Sequence, residues 1–207
     1  MKNNKKSKGF TLIELLVVIA IIAILAVVVV LTLNPAELLR QARDSNRISD
    51  FATIKSAISL YQEDVSTTTT LCSQSTTCTY NLYFSGATNT VATATFVGLA
   101  NWGFTNETAN TTTTAAAGRV VTGTGWIPIN LTAISSGAPI SSWPVDPLNS
   151  GVNFYIYAAT STAPATWKVA TKMESVKYGY NGPNDVTTGD GGNSTGTYEQ
   201  GSNLTGL

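Results

Sequence analysis

The feature that most constrains this chain is an apolar run that begins directly after a lysine-rich N-terminal leader. Residues 10–33 carry a single ionisable side chain, Glu14, near the start of the run. At about 1.5 Å per residue, a helix over this run is roughly 36 Å long, which is enough to cross the hydrocarbon core of a bilayer. The run is therefore predicted to be a membrane-spanning helix.

The position of the nearest small residue distinguishes this run from an ordinary secretory signal. A signal peptide has a shorter apolar stretch of about 7–15 residues and is cut after that stretch, at a small-residue site. Here the run continues into Asn34 and Pro35 without such a site, and Gly9, which could serve for cleavage, precedes it. Cleavage at Gly9 would remove residues 1–9 and leave the helix on the mature protein.

The charges that flank the run set its predicted orientation. Lysines without any acidic residue precede it, whereas the arginines that follow it alternate with Asp and Glu. Because the density of Lys and Arg near a span sets its topology, we expect the N-terminus to stay in the cytoplasm and the chain after the span to be exported. The expected protein crosses the cytoplasmic membrane once.

Glu14 is the one charge inside the run, and two interpretations of it are open. In the first, the carboxylate reaches the headgroup layer, helped by its place near the helix N-terminus, where the helix dipole favours negative charge. In the second, its partner belongs to another molecule, since no basic residue lies between residues 10 and 39. Cleavage after Gly9 would create such a partner, the α-amino group of Phe10 on an axially offset copy.

The junction Lys8-Gly9-Phe10-Thr11-Leu12-Ile13-Glu14-Leu15-Leu16 resembles the leader junction of type IV prepilins and of the pseudopilins of type II secretion. The motif is specific because it joins a basic leader, a Gly-Phe pair, a Glu at a fixed offset and an unbroken apolar run. The resemblance implies that a dedicated membrane peptidase cuts after Gly9 and then N-methylates Phe10. It also implies that Glu14 is needed for assembly.

The same resemblance implies a function and a location. The expected protein is a structural subunit of a type IV pilus or pseudopilus filament, not an enzyme, and it polymerises through its N-terminal helix. Its expected partners are other copies of itself, the prepilin peptidase and the assembly platform in the inner membrane, and its final location is a cell-surface filament. Two alternatives are a minor pilin whose loops bind a surface or DNA, and a membrane-anchored exported domain that never polymerises.

A second helix is predicted to start directly after the span. Asn34 is a suitable N-cap residue, Pro35 fits the first helical position, and Glu37 lies three residues after the cap. Because proline removes a backbone donor, we expect a kink or short break near residues 32–35.

An amphipathic helix is predicted over residues 34–64. Apolar residues recur there at three- and four-residue spacing, which indicates one face that packs on the exported domain. The charged residues, among them Asp44 and Arg47, are expected on the other side.

Short strands are predicted in the exported domain, residues 65–207. Trp167 and Val169 alternate with Lys168, which is the period of a strand buried on one face. A long N-terminal helix, membrane-spanning in its first half and packed on a small antiparallel sheet, is an α+β layout, and the pilin resemblance implies the same fold. The predicted strands are residues 80–84 and 91–99, a hairpin of 153–159 with 166–174, and a final strand at 197–200.

Cys72 and Cys78 are the only cysteines. An even number of cysteines in an exported domain favours a disulfide, here one that closes a small loop. Two free thiols are the alternative, and a metal site is disfavoured because the chain has no histidine and no further cysteine.

Calcium is the one cofactor that the sequence suggests. Asp185 and Asp190 lie in a glycine-rich loop that offers oxygen ligands, which calcium prefers. In some major pseudopilins, which the chain resembles, the equivalent loop holds calcium. Clusters of Asn, Asp and Gly are also ordinary turn formers, and the spacing matches no EF-hand, so both interpretations stay open.

Composition argues against two other functional classes. The chain has 12 basic and 12 acidic side chains and no histidine. Nucleic-acid binding is not indicated, because no basic footprint is present. Catalysis is not indicated either, since the usual general base is missing and no nucleophile, paired-carboxylate or phosphate-loop pattern stands out.

Overall fold

The structure is a computed structural model of the chain. It describes residues 9–65, 71–72, 81–85, 102–104, 110–111, 118–150, 153–160 and 164–207. The chain divides into two compact units, Met1–Leu39 and Arg40–Leu207.

The first unit contains helix α1, Leu12–Leu33. Within the described part of the chain, Leu12–Val30 is the one helical segment that is long and apolar enough to cross a membrane. None of this segment is buried, so its apolar side chains contribute to no core of their own. A helix that is apolar all round is stable only in contact with lipid or with other protein surfaces.

The helix is interrupted at Asn34. This residue has a left-handed backbone (φ 39°, ψ 76°), and helix α2, Pro35–Asp64, begins directly after it. The backbone N–H of Glu37 donates to the carbonyl oxygen of Asn34 at 3.0 Å and to its Oδ1 at 3.4 Å. The predicted break near residues 32–35 is confirmed, and Asn34 serves both as the end of α1 and as the cap of α2.

The second unit contains a five-stranded sheet whose strand order is β2-β1-β3-β4-β5. Strands β1, β3, β4 and β5 pair antiparallel in that order, and the short β2 pairs parallel with β1. A 3₁₀ helix, Leu131–Ala133, lies between β2 and β3 in the chain. The strands are β1 Asn81–Phe84, β2 Asn110–Thr111, β3 Ile156–Ala159, β4 Trp167–Thr171 and β5 Tyr198–Gly201.

The α+β class and four of the predicted strands are confirmed, although most strands are shorter than predicted. The hairpin predicted for residues 153–159 and 166–174 is the β3–β4 pair, which joins Ala159 to Trp167. The predicted strand at residues 91–99 lies outside the described residues.

Helix α2 covers one face of the sheet with the apolar side that the sequence predicts. Phe51, Ile54 and Ile58 are fully buried in a hydrophobic cluster that also contains Tyr157 and Trp167 from the sheet. The ring of Phe51 contacts that of Tyr155 edge-on, with the centroids 5.0 Å apart. Apolar contact with the sheet therefore accounts for the position of this part of α2.

The opposite face of the sheet is buried as well. Ile156 and Ala170 belong to a second hydrophobic cluster, with Phe104 and Leu207 from segments outside the sheet. The prediction that β4 is buried on one face only was therefore wrong: all five of its residues are buried, Lys168 included. The alternation in the sequence could not reveal that residues far along the chain cover the second face.

The predicted exposure of the charged side of α2 was also wrong at Asp44 and Arg47, which are fully buried. Arg47 binds Asp146 through Nε (2.7 Å) and Nη2 (3.1 Å), and its Nη1 donates to Asp44 at 2.7 Å. Glu174 contacts Arg47 too, and Arg43 donates to Glu174 at 2.6 Å. This group of five residues is called the Arg47 cluster below.

The Arg47 cluster is held in its charged form. Burial alone would lower the pKa of Arg47, but its carboxylate partners, Asp146 first, raise it above the ordinary value. Burial alone would raise the pKa of Glu174, but hydrogen bonds from Arg43 and Arg47 hold it below the ordinary value. The two shifts have the same cause, since each charge is stabilised by the opposite one.

Replacing Arg47 by alanine is expected to lower the free energy of unfolding of the second unit by about 3–5 kcal/mol, because Asp44 and Asp146 would stay buried without their cation. The control is Arg40→Ala, at an exposed position of the same helix, where we expect a change below about 1 kcal/mol. Urea unfolding of the full chain in detergent micelles, followed by tryptophan fluorescence, measures both. Equal losses in the two variants would contradict a stabilising role for Arg47.

Candidate processing and assembly site

Helix α1 begins with a capping box between Thr11 and Glu14. Thr11 is the N-cap, with extended backbone (φ −81°, ψ 152°), and its Oγ1 accepts a hydrogen bond from the backbone N–H of Glu14 at 3.3 Å. In return, Oε2 of Glu14 accepts hydrogen bonds from the backbone N–H of Thr11 (2.8 Å) and from its hydroxyl (2.7 Å). The two residues thereby satisfy donors that a helix N-terminus otherwise leaves without a partner.

Glu14 therefore has a polar partner in its own chain, which sequence reasoning missed. The signal was present, because Thr11 and Glu14 have the Ser/Thr-x-x-Glu spacing of a capping box. Both hydrogen bonds that the carboxylate accepts end on Oε2. No described residue donates to Oε1, so the carboxylate keeps room for a second donor.

The predicted cleavage junction lies just before the helix, in backbone that is neither helix nor strand. Gly9 and Phe10 are exposed, Phe10 at 87%. Apart from the adjacent residues, no described residue has an atom within 4 Å of the position that a Cβ on Gly9 would take. Among the described residues both sides of this bond are therefore exposed, and the first turn of α1 begins two residues after Phe10.

The model of the prokaryotic N-terminal methylation motif matches residues 4–30 of this chain. Over these residues the chain resembles the leader and first helix of a type IV pilin-like prepilin. This leader implies processing by a prepilin peptidase, export, and membrane anchoring through α1. No curated protein and no solved structure matches the chain.

The matched motif includes Gly9, Phe10 and Glu14, whose individual roles stay predictions. We expect the mature chain to begin at Phe10, with one methyl group on its amine. Mass spectrometry of the N-terminal peptide from surface material tests this expectation. In Gly9→Leu, the control, a bulky side chain at the cleaved bond is expected to leave the leader attached. Finding residues 1–9 still attached to the wild-type surface protein would contradict cleavage after Gly9.

Cys72 and its neighbour Leu71 are fully buried. They belong to the hydrophobic cluster to which α2 contributes Phe51, Ile54 and Ile58. The sulfur of Cys72 is disulfide-bonded. Cys78 lies outside the described residues, and its pairing with Cys72 stays a prediction. The hydroxyl of Tyr157 donates to the carbonyl oxygen of Leu71 at 2.8 Å, so the segment that carries Cys72 is attached to β3.

Closing the short loop between Cys72 and Cys78 is expected to stabilise the second unit by about 2–3 kcal/mol on the chain-entropy estimate. Non-reducing peptide mapping should find a single peptide pair that holds both cysteines, and neither thiol should alkylate before reduction. Alkylation of both thiols in the oxidised, native protein would refute the pairing.

Asp185, for which the sequence suggests calcium binding, is hydrogen-bonded within its own loop. Its two oxygens accept five hydrogen bonds, from the backbone N–H groups of Asn181, Thr187 and Thr188 and from the hydroxyls of the two threonines. These bonds, those from Thr187 first, hold the pKa of Asp185 below its ordinary value even though burial opposes them. The carboxylate thus links residues 181–188 into a closed turn through hydrogen bonds alone, as turn-forming aspartates do.

Asp190 is bonded to backbone donors as well. Its oxygens accept hydrogen bonds from the N–H groups of Gly192 (2.8 Å) and Glu199 (2.7 Å). The described residues contain no group of three or more His, Cys, Asp or Glu side chains placed to hold a metal ion. Calcium binding at Asp185 and Asp190 therefore gains no support from the geometry, and it stays a prediction.

Proposed function

We propose that the protein is a structural subunit of a type IV pilus or pseudopilus filament and that it polymerises through α1 after the leader is removed. The observation that carries this proposal is the coincidence of two features in the first unit. The methylation motif covers residues 4–30, and the helix that begins within it is apolar and unburied over Leu12–Val30. Membrane lipid covers such a helix before assembly, and copies of the same helix cover it afterwards.

The second unit supports the proposal because the core residues that the structure describes there all lie outside α1. Both of its hydrophobic clusters are built from residues 51–207, and the Arg47 cluster from residues 43–174. Since the apolar residues of α1 are not needed for this core, the helix is available for contacts with other subunits.

Glu14 is the residue through which we propose that subunits recognise each other. Its Oε2 is used within the chain, and its Oε1 can accept a hydrogen bond from the Phe10 amine of a neighbouring processed chain. In an apolar bundle such a pair is retained, because separation leaves a costly uncompensated charge. The pairing also fixes the axial offset between adjacent copies.

Three variants separate the capping role of Glu14 from its charge. Glu14→Gln keeps an oxygen that can cap Thr11 but removes the charge, since glutamine serves in a capping box as glutamate does. Thr11→Val removes the hydroxyl but keeps the carboxylate. We expect few or no filaments from Glu14→Gln and Glu14→Ala, and near wild-type numbers from Thr11→Val, with all three proteins folded and inserted in the membrane.

Electron microscopy and quantification of sheared surface filaments measure the outcome, with membrane fractionation as the control for protein level. Filaments from Glu14→Gln at wild-type numbers would show that only the cap matters. Loss of the Glu14→Ala protein from membranes would show that the residue serves insertion or stability instead. The abundance of the wild-type chain in sheared filaments separates a major subunit from a minor, tip-located one.

A further inference from the structure

Lys168 lies at the centre of a polar site beneath the second face of the sheet. Its side chain is fully buried. Nζ donates to the carbonyl oxygen of Gly103 and to that of Leu204 (3.0 Å), and it lies 2.9 Å from Oε1 of Glu199. Nζ thus has two hydrogen-bond acceptors and one carboxylate oxygen at ion-pair distance. The ring of Phe104, whose centroid is 4.5 Å from Nζ, covers a further side.

Glu199 faces this ammonium as a fully buried carboxylate. Its Oε2 accepts a hydrogen bond from the backbone N–H of Ser194 at 3.2 Å. Its Oε1 has no hydrogen bond of good geometry, although Lys168 Nζ is close, so charge rather than a directed hydrogen bond holds this oxygen. Removal of the ammonium would leave Oε1 buried without any partner.

Two glycines show how closely oxygen atoms converge on the site. A Cβ on Gly103 would lie 2.2 Å from Glu199 Oε1 and 2.6 Å from Asn193 Oδ1. A Cβ on Gly192 would lie 1.8 Å from Glu199 Oε2 and 3.1 Å from Asp190 Oδ1. A side chain at either glycine would push these oxygens away, so the carboxylate and amide oxygens lie close together beside Gly103 and Gly192. Glu199 Oε1 and the two carbonyl oxygens are the atoms that surround Nζ.

The electrostatics of the site agree with this arrangement. Burial lowers the pKa of Lys168, and the carboxylates of Glu199 and Asp190 oppose the shift. Burial raises the pKa of Glu199, and Lys168 opposes that shift. Each group thus reduces the cost of burying the other, which is the behaviour of a mutually dependent pair.

We propose that the ammonium group of Lys168 is a built-in structural cation, which joins residues 102–104, β5 and the C-terminal segment and fills a site whose oxygens would otherwise bind a divalent metal ion. The ligand chemistry supports this, since carboxylate, amide and carbonyl oxygens are the ligands that calcium takes in proteins. The cation that Asp190 and Glu199 face is thus supplied by the chain itself. The proposal concerns the second unit alone and does not depend on filament assembly.

Lys168→Ala tests the proposal, because it removes the ammonium and leaves space among the oxygens. We measure thermal unfolding of the full chain in detergent micelles, with chelator and with about 1 mM calcium or magnesium. The wild-type Tm should respond to calcium much less than that of Lys168→Ala. The Tm of Lys168→Ala should be lower in chelator and should rise by about 3–6 °C when calcium is near ten times its Kd, with a smaller response to magnesium.

The matched control is Lys172→Ala on the same side of the sheet. Lys172 Nζ lies 4.4 Å from the ring centroid of Trp102, a contact of the kind that Lys168 makes with Phe104, but its side chain is only partly buried. This variant should lose little stability and gain no response to calcium. A calcium response in Lys172→Ala or in the wild type equal to that of Lys168→Ala would place the ion elsewhere and overturn the proposal.

A second pair of variants covers the case in which Lys168→Ala does not fold. In Lys168→Met the buried carboxylate of Glu199 stays uncompensated, whereas Lys168→Met/Glu199→Gln removes both charges at similar volume. We expect the double variant to unfold at a higher temperature than the single one. A double variant no more stable than Lys168→Met would show that the two charges do not depend on each other. A folded Lys168→Ala without any calcium response would refute the metal-like site.

Discussion

The Arg47 cluster is the constraint on which the second unit depends. Apolar packing holds α2 on the sheet but is not directional, so it leaves the rotation and axial position of the helix loosely defined. A planar guanidinium with carboxylates on several sides is directional. Because Arg47 must meet Asp44 on its own helix and Asp146 in a distant loop, we interpret the cluster as the contact that selects one position of α2.

Local patterns explain which parts of the fold could be predicted. The break at Asn34 follows from Pro35, and the apolar face of α2 follows from helical periodicity, since both depend on neighbours within one or two turns. The buried charges could not be predicted in the same way. A charged residue on a helix normally faces water, and the partner that buries Arg47 lies 99 positions away in the chain.

The same distinction applies to the candidate functional residues. Gly9, Phe10 and Glu14 are readable because a leader is a local sequence signal, and Thr11 was readable for the same reason. Lys168 was not, because its role comes from the carbonyl of Gly103, 65 residues earlier, and from that of Leu204, 36 residues later. Strand alternation alone assigns such a lysine to solvent.

The capping box at the start of α1 has a thermodynamic consequence for assembly. Since Oε2 of Glu14 already accepts hydrogen bonds from Thr11, contact with a neighbour adds to a satisfied carboxylate or exchanges one partner for another. The free energy of joining is then a small difference between two bonded states and not the full value of an ion pair formed from isolated charges. In the proposed filament, most of the attraction between copies would then come from the apolar surface of α1, and Glu14 would decide which axial offset the copies take.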